Sequence, residues 1–221
     1  PLMNTNTLSL YHLVRKPKVS VEKAPLLIML HGYGSNEEDL FSFAEELPEE
    51  LFIISLRAPY PMPPYGYAWY AIHWDNTDGK FSDDVQAVAS REKIADFITE
   101  AVEEYPVDPN NVTLVGFSQG CILSFAVALS YPEKVKNVIG LSGYINPAIL
   151  KEGYKNNDFS NLSVYSSHGT QDQVIPVSWA RNTKPFLDSL NIENTFSEFP
   201  VGHGVAPQNF MELKKWLEER L

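Results

Sequence analysis

The stretch VTLVGFSQGCILSFAVALSY, residues 112–131, decides the fold prediction. It begins as a short apolar run typical of a buried strand and continues from residue 118 as a longer apolar run typical of a buried helix. Gly116, Ser118 and Gly120 stand at the junction in the pattern G-x-S-x-G. At a sharp strand-to-helix turn, small neighbours avoid a collision and the serine hydroxyl points outward above the sheet. The pattern predicts a reactive serine; a serine that only caps the helix is the alternative.

Short apolar runs alternate with longer helical patterns along the rest of the chain. The predicted strands are 8–14, 26–30, 51–56, 112–116, 137–143, 162–168 and 194–199, and the predicted helices are 36–47, 83–105, 118–131, 176–190 and 207–220. Several of the strands are apolar nearly throughout, which is typical of a mostly parallel sheet with helices on both faces. No linker or repeat divides the sequence, so we predict a single α/β domain over residues 1–221. Pro1 and Leu2, which precede Met3, look like a remnant of an expression tag.

Composition limits the function classes. The 221 residues carry a net charge of -11, which argues against nucleic acid or an anionic membrane surface as a partner. The single cysteine, Cys121, excludes an intrachain disulfide framework and a cysteine-rich zinc site, and we expect it to be a small core residue. The longest apolar stretch, 121–129, is too short for a membrane span, and no signal peptide is visible. We therefore expect a cytoplasmic protein.

A serine nucleophile needs a base within hydrogen-bond reach. In a parallel sheet the reactive residues lie at the carboxyl ends of the strands. His203 meets this condition, because it follows the last predicted strand and precedes the last predicted helix, with Gly202 and Gly204 on either side. The other histidines are interpreted as structural or surface residues: His12, His31, His73 and His168.

The base in turn needs an acid that holds its tautomer and stabilises its charged form. Asp172 follows the penultimate strand, whereas Asp158 precedes that strand and Asp188 lies within a predicted helix. Position alone favours Asp172. The resulting chain order, Ser118, Asp172, His203, is the order found in α/β-hydrolases.

Acyl transfer also requires preorganised N–H donors for the oxyanion that forms. The run HGYG, residues 31–34, follows the second strand, where glycines let the backbone approach a substrate. The backbone amides of Tyr33 and Gln119 are our candidates. A turn that caps the next helix through Ser35 or Asn36 is an alternative that can hold at the same time.

With these residues assembled, the chain resembles the phospholipase/carboxylesterase family of α/β-hydrolases, which includes bacterial carboxylesterases and acyl-protein thioesterases. The matching stretches are LHGYGSN (30–36), RAPYP (57–61), GYAWY (66–70), GFSQG (116–120), SGY (142–144), HGTQDQVIPV (168–177) and GHGV (202–205). The resemblance implies an α/β-hydrolase fold without a large lid domain. It also implies a nucleophile, acid and base at Ser118, Asp172 and His203, oxyanion amides at Tyr33 and Gln119, and no metal or cofactor.

Two departures bear on the substrate. The thioesterase branch usually shows LHGLGD where this chain has LHGYGS, which favours the bacterial esterase branch. The segment 57–79 is rich in aromatic residues and prolines, and we expect Trp69 and Tyr70 to contact substrate. Packing over the sheet edge is the alternative for these aromatics. Exposed aromatic residues in the 60–74 loop would also suit a homodimer.

The sequence thus predicts a serine hydrolase that cleaves small-molecule carboxylic esters of short to medium acyl chains through an acyl-enzyme. An acyl thioesterase or a lysophospholipase is the alternative among enzymes. A catalytically inactive α/β-hydrolase that serves as a binding module is the alternative from a different class.

Overall fold

A seven-stranded sheet organises the chain in the computed structural model, which describes residues 8–75 and 79–221 without the side chains of residues 74–75 and 79–81. The strands in the described residues are β1 (His12–Arg15), β2 (Ala24–Leu30), β3 (Phe52–Leu56), β4 (Tyr60–Pro61), β5 (Tyr67–Ala68), β6 (Ile72–Asp75), β7 (Gly79–Ser82), β8 (Val107–Phe117), β9 (Asn137–Leu141), β10 (Ser163–Gly169) and β11 (Glu193–Phe199). The central sheet has the order β1-β3-β2-β8-β9-β10-β11. Only β1 is antiparallel to its neighbour in this sheet. The prediction of a mostly parallel sheet is confirmed.

The α-helices of the described residues connect or follow the parallel strands. They are α1 (Asp84–Glu104), α2 (Gln119–Ser130), α3 (Val177–Ala180), α4 (Thr183–Ser189) and α5 (Pro207–Glu218). The α1 helix begins where Asp83 accepts a hydrogen bond from the Gln86 backbone N–H, and α5 begins at Pro207, which needs no N–H acceptor at that position. No helix within residues 8–75 and 79–221 combines the length and hydropathy that crossing a membrane requires.

Side chains from both faces of the sheet are buried. Along β2, the even-numbered Leu26, Ile28 and Leu30 pack in one core with α1 and α2. The odd-numbered Leu27 and Met29 pack in a second core with α5 and the 3-10 helix Leu40–Glu46. Successive side chains of a strand point to opposite faces, so a strand buried on both sides is apolar throughout. The helices therefore cover both faces, as the sequence predicts.

Two predicted helices differ from the observed ones. The predicted helix 36–47 is only a 3-10 helix from Leu40, because the Asn36 side chain accepts from the Glu38 N–H and holds the preceding residues in a turn. The predicted helix 176–190 divides into α3 and α4. Pro185 explains the break, since it has no N–H to donate within a continuous helix and instead occupies the first turn of α4.

Two short hairpins, β4–β5 and β6–β7, were not predicted from the sequence. They lie between β3 and α1 in the chain, in the segment rich in aromatic residues and prolines. The first hairpin contacts the loop after β2, because Ser35 forms a β-bridge with Tyr67. Within the described residues, these hairpins are the only additions between β3 and α1, and no large lid covers the sheet edge.

The burial of His12 leads us to expect that the folded protein loses stability as the pH falls. Its ring contacts the Leu10 carbonyl at 2.8 Å and the Tyr105 hydroxyl at 2.6 Å, and burial lowers its pKa below 6.5. As the pH falls through about 6.5, His12 is therefore protonated in the unfolded chain before it is protonated in the folded chain, so stability falls with it. We expect the urea-unfolding free energy of wild type to drop between pH 7.5 and 5.5, and this drop to be smaller in His12→Gln.

Tyr105→Phe is the control, because it removes a partner of His12 and leaves the imidazole in place. It should lower the unfolding free energy at both pH values, and stability should still fall with pH because the buried imidazole remains. Equal pH dependence in wild type and His12→Gln would contradict this interpretation of His12.

Candidate active site

Ser118 occupies a strained turn between β8 and α2. Its backbone has φ 56° and ψ -116°, a positive φ that is rare for a residue other than glycine. A Cβ at Gly120 would lie 2.0 Å from the Leu30 carbonyl oxygen, and one at Gly116 would lie 2.2 Å from the Gly120 carbonyl oxygen. Both positions therefore require glycine. The Ser118 hydroxyl makes no capping bond to α2 and is available for other contacts.

The loops after β10 and β11 bring an imidazole and a carboxylate to this hydroxyl. His203 Nε2 lies 3.0 Å from Ser118 Oγ, and His203 Nδ1 lies 2.6 Å from Asp172 Oδ2. The three residues come from the ends of three different strands and meet at one edge of the sheet. In this geometry, Nε2 can accept the serine proton while Nδ1 donates to the carboxylate.

The surroundings of Asp172 keep its carboxylate ionised. Burial alone would raise its pKa, but hydrogen bonds from the backbone N–H of Ile175, from His203 and from the N–H of Val174 outweigh burial and place the pKa below 3.8. The two backbone N–H groups both donate to Oδ1, at 2.8 and 2.9 Å, which leaves Oδ2 for His203. His168 Nε2 also lies 3.2 Å from Oδ2 and donates to the Ile175 carbonyl at 2.8 Å. A negative charge therefore faces the imidazole at neutral pH.

Two backbone N–H groups are free beside the serine. Gln119 is the first residue of α2, and the first N–H groups of a helix have no acceptor within it. In the loop after β2, Gly34 N–H donates to the Tyr67 carbonyl and Ser35 N–H to the Gly32 carbonyl, whereas Tyr33 N–H has no acceptor in the part of the chain that the structure describes. Tyr33 and Gln119 both line the cavity that holds the Ser118 hydroxyl.

That cavity has a volume of about 590 Å³ and is open on one side. Its lining is mostly apolar or aromatic beyond the serine and histidine: Gly32, Tyr33, Tyr70, Ile72, Phe117, Ile122, Tyr144, Val174, Ile175 and Trp179. Ser35, Asp39 and Ser82 add polar groups. The size and apolar walls suit a small organic ligand.

Of the two aromatic residues expected to contact substrate, the structure brings only Tyr70 to the cavity. Trp69 is fully buried and does not line it, so the expectation for Trp69 is wrong. The partners of Trp69 explain the difference, because its indole N–H donates to the His31 carbonyl at 2.8 Å and its ring packs in the core shared with α1 and α2. Two other aromatic residues of the segment 57–79 add nothing to the cavity wall as described. Tyr65 is 85% exposed and does not line the cavity, and Trp74 lies outside the described side chains.

Sequence reasoning missed part of the apolar wall. Tyr144 follows β9, Val174 and Ile175 follow Asp172, and Trp179 lies on α3. A signal was present for these residues, because each lies in or beside a motif that follows a strand at the same sheet edge. Trp179 is 45% exposed, so it forms the rim of the cavity.

The remaining reactive side chains are buried for structural reasons. His31 donates from Nδ1 to the Gly32 carbonyl and accepts from the Ala58 N–H at Nε2, and burial lowers its pKa. Cys121 is buried against Gly140 and Gly143, and burial raises the pKa of its thiol. Among residues 8–75 and 79–221, no group of three His, Cys, Asp or Glu side chains is arranged to hold a metal ion.

A model of the family described as Phospholipase/Carboxylesterase matches residues 13–221, nearly the whole chain. The chain belongs to the phospholipase/carboxylesterase family. The resemblance seen in the sequence motifs is thereby confirmed, and the α/β-hydrolase fold with it.

Proteins similar to this chain carry both esterase and thioesterase names. Acyl-protein thioesterase 1 of Kluyveromyces lactis is 26% identical over 214 residues, which cover 89% of this chain and 92% of the relative. The Bacillus cereus carboxylesterase structure superposes with a TM-score of 0.84 at 22% identity, covering 98% and 97% of the two chains, and shows the fold alone. Esterase PE8 superposes with a TM-score of 0.78 at 26% identity, covering 97% and 99%. Family membership makes the chain a hydrolase and leaves its preferred substrate open.

Proposed function

We propose that this hydrolase cleaves carboxylic esters of short to medium acyl chains through a covalent acyl-enzyme on Ser118. The observation that carries the proposal is the continuous hydrogen-bonded path from Ser118 Oγ through His203 to the buried Asp172 carboxylate, with distances of 3.0 and 2.6 Å. A serine hydroxyl is a weak nucleophile unless a base removes its proton, and this path supplies the base and its orienting acid.

The reaction proceeds in two halves. His203 Nε2 takes the Ser118 proton as Oγ bonds to the ester carbonyl carbon, and the Tyr33 and Gln119 amides donate to the oxyanion. The carbon–oxygen bond to the alcohol then breaks, and the alcohol leaves with the proton from His203. In the second half, His203 takes a proton from water, the resulting hydroxide attacks the acyl carbon, and the acid leaves as Ser118 regains its proton.

The cavity supports an uncharged substrate of moderate size. Its volume of about 590 Å³ is enclosed mainly by apolar side chains. Among the described residues that line it, the ionisable side chains are Asp39, His203, Tyr33, Tyr70 and Tyr144, and none is lysine or arginine. A leaving group with several negative charges, such as coenzyme A, would find no cation there and would be repelled by Asp39. A simple ester therefore fits the lining better than a coenzyme A thioester.

The test is a series of p-nitrophenyl esters with acetyl, butyryl, octanoyl and palmitoyl groups, beside butyryl-coenzyme A. We expect kcat/KM to be highest for butyrate or octanoate and at least about 10-fold lower for palmitate, because the longest chain exceeds the apolar wall. We also expect butyryl-coenzyme A to be cleaved at least about 10-fold more slowly than p-nitrophenyl butyrate. Ser118→Ala measures the background hydrolysis. A kcat/KM that rises through palmitate would favour a lysophospholipase or long-chain thioesterase.

An acyl thioesterase is the second candidate, because the names of curated relatives such as that of Kluyveromyces lactis specify this activity. The same two-half reaction cleaves a thioester, with a thiol as the leaving group. A matched pair of substrates, ethyl butyrate and S-ethyl thiobutyrate, separates the two activities by their kcat/KM values. An inactive binding module would turn over neither substrate above the Ser118→Ala background.

We further propose that the enzyme works in the cytoplasm without a metal or cofactor. The exposed Tyr65 in the first hairpin supports a homodimer contact. Sedimentation equilibrium of wild type and Tyr65→Ser tests the homodimer, since loss of a dimer in the variant is the expected result.

A further inference from the structure

The segment Tyr67–Tyr70 lies between the two stretches of backbone that carry the free N–H groups. On one side, Gly34 N–H donates to the Tyr67 carbonyl at 2.9 Å, and Tyr67 N–H donates to the Ser35 carbonyl at 2.8 Å. On the other side, the Gln119 side chain donates from Nε2 to the Tyr70 carbonyl at 2.9 Å. The segment is therefore hydrogen-bonded both to the loop after β2 and to the start of α2.

Trp69 connects the two sides directly. Its backbone N–H donates to Gln119 Oε1 at 2.7 Å, and its indole Nε1–H donates to the His31 carbonyl at 2.8 Å. Its own carbonyl accepts from the Ser90 hydroxyl on α1, and its side chain is fully buried. Trp69 thus contacts Gln119 in the first turn of α2 and His31, which directly follows β2 and precedes the loop that carries the Tyr33 amide.

The His31 end of this connection is itself rigid. The His31 imidazole uses both nitrogens, donating to the Gly32 carbonyl at 2.8 Å and accepting from the Ala58 N–H at 3.0 Å. Its ring also packs against the Trp69 indole with 5.6 Å between ring centroids. The backbone that leads to the Tyr33 N–H is therefore held by hydrogen bonds at the His31 and Gly32 carbonyls and by the packed His31 ring.

Donors to an oxyanion stabilise a transition state only when they are held in place before the charge forms, and a displacement of about 1 Å costs orders of magnitude in rate. We propose that Trp69 is a positioning residue that sets the spacing between the Tyr33 and Gln119 amides through its indole N–H and its backbone N–H. The inference rests on the proposed function, because it takes these two amides as the oxyanion donors.

Trp69→Phe tests the proposal, because it keeps an aromatic ring and removes the N–H donor to His31. The matched control is Trp216→Phe, which removes the same group from a buried tryptophan in the core on the opposite face of the sheet. With p-nitrophenyl butyrate, we expect Trp69→Phe to lower kcat about 10-fold or more with KM within about two-fold of wild type. Trp216→Phe should keep kcat within about two-fold.

A second readout separates positioning from general loosening of the structure. A trifluoromethyl ketone forms a hemiketal oxyanion on the serine, so its affinity reports the oxyanion donors. We expect its inhibition constant to rise in Trp69→Phe by the same factor by which kcat/KM falls, and to stay unchanged in Trp216→Phe. Equal kinetic constants in the two variants, or a loss confined to KM, would overturn the proposal.

Gln119→Met carries the test if Trp69→Phe does not fold, since it keeps the volume and backbone N–H of Gln119 and removes its bonds to Trp69 and Tyr70. We expect the same loss in kcat and in affinity for the ketone; wild-type values would overturn the proposal. Ser118→Ala separates this result from the proposed function. Turnover that survives Ser118→Ala would refute the serine mechanism, whereas turnover lost in Ser118→Ala but normal in both other variants would refute only the role of Trp69.

Discussion

Ser118→Ala is expected to lower kcat for p-nitrophenyl butyrate by roughly 10⁵- to 10⁶-fold, because the acyl-enzyme cannot form without the hydroxyl. The hydroxyl is the group hydrogen-bonded to His203 Nε2. The cavity walls and the Tyr33 and Gln119 amides remain, so the residual rate should exceed hydrolysis in water alone. Stopped-flow or steady-state absorbance of p-nitrophenol measures the change, with circular dichroism as a check of folding.

Ser142→Ala is the matched control for this substitution. Ser142 also follows a central strand, is buried, and has a positive φ of 58°, close to the 56° of Ser118. Alanine at either position therefore has to adopt a positive φ, but Ser142 does not line the cavity. We expect Ser142→Ala to keep kcat within about three-fold of wild type. Turnover above about 1% of wild type in Ser118→Ala would refute the assignment of the nucleophile.

Asp172→Asn is expected to lower kcat about 10⁴-fold at neutral pH with little change in the fold. The backbone N–H groups of Val174 and Ile175 both donate to Oδ1, so the amide oxygen of asparagine would keep that place. The amide nitrogen would then face His203 Nδ1 and donate to it. This forces the opposite tautomer on His203, with a proton on Nε2, where the Ser118 proton must be accepted.

Asp188→Asn is the control for loss of one negative charge. Asp188 lies on α4, where its exposed carboxylate accepts from the Asn194 side chain at 2.8 Å. We expect its kcat to equal that of wild type. The pKa of Asp172 lies below 3.8, so any acid inactivation above about pH 5 should not involve protonation of Asp172. An Asp172→Asn enzyme with near wild-type kcat would show that the carboxylate does not orient the base.

The site geometry was the part of the molecule most readily predicted from sequence, because its signals are local. Glycines at 116 and 120 are required by contacts of 2.2 and 2.0 Å that a Cβ would make, so the pattern around Ser118 has a direct physical cause. Asp172 and His203 were predicted from their positions after strands, since the carboxyl ends of parallel strands meet at one edge. The structure places these side chains at hydrogen-bond distance, while their catalytic roles stay a proposal.

The segment before α1 was harder to predict, because its structure depends on distant contacts. The strands β4 and β5 are each two residues long, too short for a periodic pattern. Trp69 was expected at the substrate because aromatic residues cluster there, but its partners, His31 and Gln119, are 38 and 50 residues away in the chain. The single-domain organisation, the homodimer and the cytoplasmic location likewise stay predictions, since each depends on more than local sequence.

Mapping of the site modified by a fluorophosphonate tests the central claim most directly, because the reagent bonds to a serine only where a base and oxyanion donors activate it. Wild-type protein would be labelled, digested and analysed by mass spectrometry beside Ser118→Ala and Ser142→Ala. We predict one adduct, on Ser118, in wild type and in Ser142→Ala, and no adduct in Ser118→Ala. Labelling of another residue in wild type, or labelling that persists in Ser118→Ala, would contradict the proposal that Ser118 is the nucleophile.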